Sequence, residues 1–520
     1  MLFCYSISIV SAISSSSTST RSTYSDAEII KQLKQKLQNA EMMIQLLREQ
    51  LRLQRIAKYG PGSEKLSSQQ LELLEFEPGV SNMEVAAEGE REALPSSPEK
   101  KHKHPGRQTL PADLPRVERV IACTPEQCVC GGCGAETTVI GYESSEQLDM
   151  EPVKYFVLVT KREKRACKFC EERGVFAAPL PPRIIEKSLV SDRMIIDTVV
   201  SKYADHSPLY RQSVILLRDA GIDIGRATLD GWVMRVGDVL MPLVEVMRRE
   251  LLGGTYIQAD ETPVDVQTRD GRSRNHQAYL WQYGSPGKPV IFEFRMGRGR
   301  EGPMRFLGDF EGILQTDAYA AYDRVGGPKM VHAVCWAHAR RKFIEAVKVN
   351  KQDVASTQIV AQMAKLFAID ARARDEDMDH ARRHALRMQL TPSVLRDLKV
   401  QIEAGSSAAL PSSPLGRACS YSLRLWDKLT RFLNYPELEL SNNFAENSMR
   451  PVAIGRRNWT HIGHEKAGPR VAAILSIVET CRRLKIPVRD YLAAVLPGLA
   501  NTSIQRLPQL TPTAWAVNNL

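Results

Sequence analysis

The clearest periodicity in the chain is sevenfold. Between residues 27 and 56, Ile30, Leu37, Ile44 and Leu51 recur at one heptad position, and Leu33, Ala40, Leu47 and Gln54 at the other. Apolar residues at that spacing predict a short coiled coil over 27–58 that joins copies of the chain. An amphipathic helix packed on its own domain would carry the same pattern. Gly60-Pro-Gly62 ends the run.

Helical spacing returns between residues 188 and 250. Asp192 to Tyr203 is amphipathic, His206-Ser-Pro208 breaks it, and Leu209 to Asp219 resumes before Gly221. Thr228 to Arg249 then has apolar residues every three or four positions. A helix, a tight turn near Gly221–Gly225 and a second helix suit a DNA-reading helix-turn-helix, and equally an ordinary packing layer. This helical domain is expected over 181–252.

From residue 254 the pattern turns to strands. Tyr256 to Asp260 is the first; Gln277 to Tyr283 and Pro289 to Arg295 predict an antiparallel pair around Gly284-Ser-Pro-Gly287. A helix near Gly302 to Leu307 precedes a strand closing at Asp317, and Val331 to Trp336 is a further strand that runs into the basic helix from His338. Residues 344–440 are mostly helical and charged, an insertion into the core. The order predicts a mixed α/β sheet of ribonuclease H-like type, over 253–475 with the insertion included. A helical tail is expected over 476–520.

Candidate chemistry sits on these elements. Asp260 and Asp317 each end an apolar strand, and Glu446 lies in Ser441-Asn-Asn-Phe-Ala-Glu446, read as a capped helix start with Asn442 or Asn443 as the cap. Taken singly, each acid reads as well as a solvated carboxylate. Together, two strand-end carboxylates and one helix carboxylate can hold two divalent cations, roughly 3.5–4 Å apart, against both oxygens of a phosphoryl transfer. Glu261 adjoins Asp260 but belongs to the opposite face of a continuing strand. Arg450 is one helical turn from Glu446, placed for a phosphate or for a plain ion pair. Cys335-x-x-His338 is half of a metal site without an obvious second half, and a packing role beside the active site is the stronger reading.

Composition adds a polyanion-friendly balance. Lys plus Arg number 70 against 60 Asp plus Glu, a net charge of +10. The basic residues cluster at 100–107 (Lys100 to Arg107), 295–305 and 450–457. With 520 residues and 43% hydrophobic content the chain holds several domains. No apolar run reaches the roughly 20 residues that cross a bilayer, so a soluble cytoplasmic protein without membrane partners is expected. Leu2 to Ile13 is mildly apolar but lacks a basic flank, and residues 1–26 are expected as a disordered leader or an overlong start. Residues 59–118 mix Pro, Ser and charge without periodicity and read as a linker carrying the basic run.

Ten cysteines occur, five of them between 128 and 170. Cys130-Gly-Gly-Cys133 and Cys167-Lys-Phe-Cys170 each present two thiolates from one turn, and four thiolates make a tetrahedral structural zinc site, so 119–180 reads as a zinc-binding domain. Cys128 is a spare for Cys130. The segments Thr137 to Tyr142 and Lys154 to Thr160 between the pairs alternate and predict a hairpin.

These residues resemble the insertion sequence sixty-six family of bacterial transposases, the TnpC type. The matching residues include the heptad segment, Gly62-Ser-Glu-Lys65, Pro105-Gly-Arg107, both cysteine pairs, Lys202-Tyr-Ala-Asp-His206 with Leu209-Tyr-Arg-Gln212, and Ala259-Asp-Glu-Thr-Pro263. They continue with Gln315-Thr-Asp-Ala-Tyr319, Cys335-Trp-Ala-His338-Ala-Arg-Arg341, Asn442-Asn-Phe-Ala-Glu446 and Leu510-Thr-Pro-Thr-Ala-Trp515, so the resemblance covers roughly 27–518. It implies a metal-dependent DDE transposase that cleaves element ends and transfers them to target DNA. Asp260, Asp317 and Glu446 would be its catalytic triad with magnesium or manganese. Arg340, Arg341, Arg450, Arg456, Arg457, Lys100 and Arg107 would contact DNA, Asn443 would support the metal ligands from behind, and accessory proteins of the same element are implied as partners. Two readings from other classes stay open: a DNA-binding regulator without catalysis, and a ribonuclease H-like nuclease that does not join ends.

Overall fold

The computed structural model describes residues 155–166, 175–268, 275–350 and 352–519, besides three isolated positions. The expected leader, coiled coil and linker, with Lys100 and Arg107, lie outside the described residues, as do Cys130, Cys133, Cys167 and Cys170. Two short antiparallel strands, β1 (Lys164–Ala166) and β2 (Val175–Ala177), come first. The expected strand at 154–160 is not there: residues 155–160 have no regular structure, and Phe156 to Val159 are exposed. The ladder forms instead between Lys164–Ala166 and Val175–Ala177, close neighbours in sequence.

Three helices follow: α1 (Asp192–Tyr203), α2 (Leu209–Ala220) and α3 (Arg226–Leu252). Gly221 ends α2 in the left-handed region at φ 65°, which glycine adopts without a Cβ penalty. The helix-turn-helix spacing read from the sequence is therefore present as local geometry.

The central sheet has the order β5-β4-β3-β6-β7, with a short β8 (His461–Ile462) pairing β3. Its strands are β3 (Tyr256–Val266), β4 (His276–Gly284), β5 (Val290–Arg295), β6 (Ile313–Thr316) and β7 (Val331–Val334). β3, β4 and β5 are antiparallel neighbours, whereas β6 and β7 run parallel to β3. Ser285-Pro286-Gly287-Lys288 turns β4 into β5, with Gly287 at φ 71° and Lys288 N–H bonded to the Ser285 carbonyl at 3.0 Å. β3 runs six residues past Asp260, beyond the expected end, because β4 pairs with it as far as Val266. Pro263 is tolerated there because β6 has already left that edge.

Helix α4 (Glu301–Leu307) carries the chain across to β6. After β7 comes α5 (Trp336–Val349), then α6 (Val354–Asp375), α7 (His380–Ala408), α8 (Pro414–Arg424) and α9 (Trp426–Thr430). The chain returns to the sheet with α10 (Asn443–Trp459) and closes with α11 (Gly468–Arg483), α12 (Val488–Val495) and α13 (Pro512–Asn519). α11 runs without a break across residue 475 and covers the edge strand β5. Ser476 Oγ accepts the Phe292 N–H at 2.8 Å, and Thr480 Oγ1 accepts the Val290 N–H at 2.9 Å.

Strand alternation feeds two cores. Ile257, Ala259 and Leu314 join one with α1, α3, α11 and α12, while Tyr256 and Ile313 join the other with α5 to α8. Among the described residues no helix is long and apolar enough to cross a membrane.

Candidate active site

Register brings the first two acids together. On β3, Tyr256, Gln258 and Asp260 share a face; on β6, Ile313 and Gln315 share the same one, and Asp317 follows two residues on. The strands run parallel with Gln258 opposite Gln315. Asp260 and Asp317 therefore lie side by side where β6 ends and β3 continues, about one strand spacing, ~4.8 Å, apart. Asp260 Oδ1 accepts the Glu261 N–H at 2.9 Å, and Asp317 Oδ1 accepts the Tyr319 N–H at 2.8 Å.

The third acid is brought in by a buried polar network. Gln258 Nε2 donates to the Ser441 carbonyl at 3.0 Å, and Gln258 Oε1 accepts the Ala445 N–H at 3.3 Å. Gln315 Nε2 donates to the Glu439 carbonyl at 2.7 Å, and Tyr256 O–H to Gln315 Oε1 at 2.6 Å. Asn442 Nδ2 donates to the Ala259 carbonyl at 2.9 Å. Asn442 does hold the N-cap position of α10, but its side chain makes no cap bond, because it is spent on β3. The start of α10 is thus fixed over the strand ends, with Glu446 in its first turn.

Electrostatics report the same convergence. Burial raises the Asp260 pKa well above the ordinary carboxylate range, and the charges of Glu446, Glu261 and Asp317 raise it further. Glu261 sits on the other strand face, as alternation requires. Tyr322 O–H donates to its Oε2 at 2.8 Å, and Arg298 Nε to its Oε1 at 3.0 Å. Burial raises the Glu261 pKa against these partners.

Glu446 is also held from α5. His338 Nδ1 lies 3.5 Å from one of its oxygens, and the Arg341 guanidinium 3.3 Å from the other. Burial, with Arg341 and Lys342 nearby, lowers the His338 pKa to about 3, so its imidazole is neutral. Cys335, His338 and Glu446 place one ligand atom each within 4.8 Å of one another. Glu446 is the neighbour that the Cys335-x-x-His338 reading lacked. Yet Cys335 is a hydrogen-bond acceptor here: its sulfur takes the Asn442 N–H at 3.1 Å, and burial raises its thiol to about 12. That is the packing role read from the sequence.

The expected DNA-contacting arginines divide. Arg341 reaches the carboxylate cluster through Glu446. Arg340 lies over the Phe367 ring at 5.6 Å. Arg456 turns inward, donating to Thr262 Oγ1 at 2.9 Å and the Pro263 carbonyl at 2.7 Å, and burial lowers its pKa. Arg457 is exposed, and Arg450 lines a cleft beside α10. Sequence reasoning passed over Tyr256, Gln258 and Gln315. Their signal was available: polar side chains at alternate positions of apolar strands, in step with the terminal Asp.

Comparison with known proteins matches three stretches of the chain. The model described as "Transposase IS66 family" matches residues 187–470. That described as "Transposase C of IS166 homeodomain" matches 46–119, which takes in all of the expected linker. A "zinc-finger binding domain of transposase IS66" matches 127–171. Among curated proteins, the uncharacterized protein y4qI of Sinorhizobium fredii is 32% identical over 411 residues, 76% of this chain and 74% of that one. The uncharacterized protein y4hP of the same organism is 28% identical over 499 residues, 91% of this chain and 88% of that one.

Proposed function

Because this chain belongs to the IS66 family of transposases, we propose that it is a DDE enzyme that cuts the ends of its element and joins them to target DNA, with Asp260, Asp317 and Glu446 as the catalytic triad. The observation that carries this is the convergence of the three carboxylates: parallel register sets Asp317 beside Asp260, the Gln258 amide fixes the start of the Glu446 helix over them, and both acids add to the burial that raises the Asp260 pKa. A half-buried acidic cluster without a built-in counter-charge for Asp260 suits divalent cations. The sheet order β5-β4-β3-β6-β7, three antiparallel strands followed by two parallel ones, supports the ribonuclease H-like reading.

Two magnesium or manganese ions held by the triad would neutralise charge on the attacking and leaving oxygens of an in-line displacement at phosphorus. The chain's own groups position that reaction. Asp260 and Asp317 stand on rigid parallel strands, and the Gln258–Gln315–Tyr256 network keeps Glu446 over them. Arg341 is close enough to Glu446 to take a phosphate oxygen as DNA enters. His338, neutral, packs 3.5 Å from Glu446 without competing for it as a cation. Cys130, Cys133, Cys167 and Cys170 would hold a structural zinc in the segment matched by the zinc-finger model. DNA is the partner, and the heptad segment would join copies of the chain.

The test is cleavage of labelled DNA bordering the gene. Asp260→Asn, Asp317→Asn and Glu446→Gln each abolish cutting in magnesium while leaving DNA binding intact. Normal cutting by any one of them removes that residue from the triad. DNA that is bound but never cut by the unaltered protein points to a regulator. Cutting without joining of a precleaved end points to a nuclease.

A further inference from the structure

A second feature lies on the same helix as Glu446. A cleft of about 460 Å³ opens between the end of α1, α10, and the end of α11 with the segment after it. Its lining includes His206, Arg450, Pro451, Ile454, Arg482 and Lys485. That volume lies in the range of small-ligand sites and admits one nucleotide.

The cleft is positively charged and its charge is available. The side chains of Arg450 and Lys485 have no hydrogen-bond or ion-pair partner among the described residues. Glu479, the acid in the wall, does not cancel them: Arg482 holds it at 2.6 Å and Arg483 at 3.0 Å. Arg450 is about one helical turn from Glu446, roughly 6 Å along the axis.

The cleft is also a built site. His206 has a left-handed backbone, φ 57°, a conformation that strains a non-glycine residue. Its Nδ1 is buried and has no hydrogen-bond partner. The ring lies close against α10 at Gly455, where a Cβ would come within 3.2 Å of that nitrogen and 2.5 Å of Trp459 Nε1. Pro451 has no N–H, so the Asn447 carbonyl, also in the lining, lacks its helical donor. Arg450 and Lys485, whose side chains are unpaired among the described residues, thus line one concavity with His206 and Asn447. Cations suit a phosphodiester, and the polar atoms beside Ile454 suit the edge of a base.

We propose that this cleft is a nucleotide subsite for the DNA strand being cut: Arg450 and Lys485 take the phosphate next to the scissile one, and the attached base enters between His206 and Ile454. The assignment rests on the transposase reading of the neighbouring carboxylates. It goes beyond that reading in fixing where the strand runs after leaving them, along α10 toward α11.

The test uses the full chain and a fluorescein-labelled duplex of the DNA bordering the gene, followed by anisotropy over a salt series. Arg450→Ala and Lys485→Ala each weaken binding severalfold and reduce the salt slope by about 0.9, the loss of one phosphate contact. Arg450→Lys restores most of the slope, and Lys485, being exposed on a loop, can be changed without disturbing the core. Photocrosslinking with 5-iododeoxyuridine next to the mapped cut site labels the peptides containing His206 or Ile454. Inorganic phosphate and dAMP at the same concentration displace little DNA; full displacement by either would mark a free-anion site and overturn the proposal. Wild-type slopes in both alanine variants, or crosslinks only elsewhere, overturn the subsite even where Glu446→Gln abolishes cutting and the transposase reading stands. A wild-type chain that neither binds nor cuts this DNA overturns both.

Discussion

The side-chain amide of Asn442 donates to the carbonyl of Ala259 at 2.9 Å. One buried bond thereby joins the residue before Asp260 to the residue that opens the helix of Glu446. The sequence separation is 183 residues, and the bond closes it at the point where the carboxylates must meet. Asn442→Ala leaves a buried carbonyl unsatisfied, which costs about 1–3 kcal/mol. It also frees the head of α10, and a displacement on the order of 1 Å can cost about 100-fold in rate. The expected result is a modest fall in Tm, a large fall in the cleavage rate and unchanged DNA affinity. Wild-type cleavage by this variant would show that the bond is not what sets the geometry.

The acidic cluster should make the metal-free protein less stable than it would otherwise be. The folded-state pKa of Asp260 is raised, so its favourable contribution is present below its unfolded value and is lost as pH rises. At neutral pH its charge therefore opposes folding. Asp260→Asn is expected to raise Tm in metal-free buffer while abolishing cleavage. Magnesium should then raise the Tm of the unaltered chain more than that of the variant. A lower Tm for the metal-free variant contradicts the repulsion argument.

His332 supplies a pH dependence away from the triad. Lys428 Nζ lies 3.0 Å from its Nδ1, Thr316 Oγ1 lies 2.9 Å from its Nε2, and Asp323 is 3.4 Å from the ring. Burial, then Lys428, lowers its pKa to about 4; Asp323 works against that, and Arg431 adds to it. Because the folded pKa is the lower one, the unfolded chain binds more protons between about 6.5 and 4. The contribution is complete above that window and is lost as pH falls through it, on the order of 2–3 kcal/mol in all. His332→Gln should flatten the fall of stability with acid in urea titrations across that range. An unchanged pH profile would mean that the ring titrates normally.

The zinc expectation is open to direct measurement. Elemental analysis should find about one zinc per chain. Replacing Cys130 and Cys133 with Ser should remove it without abolishing magnesium binding by the carboxylates. A chain purified without zinc, and stable without it, would remove the four-thiolate site.

How much was legible in the sequence differs from element to element. Alternation marked β3 to β7, and helical spacing marked α1 to α3, because those periods follow from backbone geometry alone. The end of β3 was not legible: Asp260 and Pro263 look like a stop, and only the long pairing with β4 carries the strand on to Val266. The hairpin expected near residues 154–160 failed for the same reason, since alternation does not say which partner a strand will find.

By itself the sequence singled out the residues proposed for the chemistry. Carboxylates at strand ends, an acidic helix start and paired cysteines are local patterns, and they lie within the stretches that the family models match. Only the tertiary structure decided what surrounds them. The parallel register sets Asp260 beside Asp317, the Gln258 and Gln315 amides draw in α10, and His338 and Arg341 arrive from α5 to meet Glu446. Each of those meetings joins residues far apart in the chain. Such contacts depend on how the layers pack, and no periodicity within one segment encodes the packing of another.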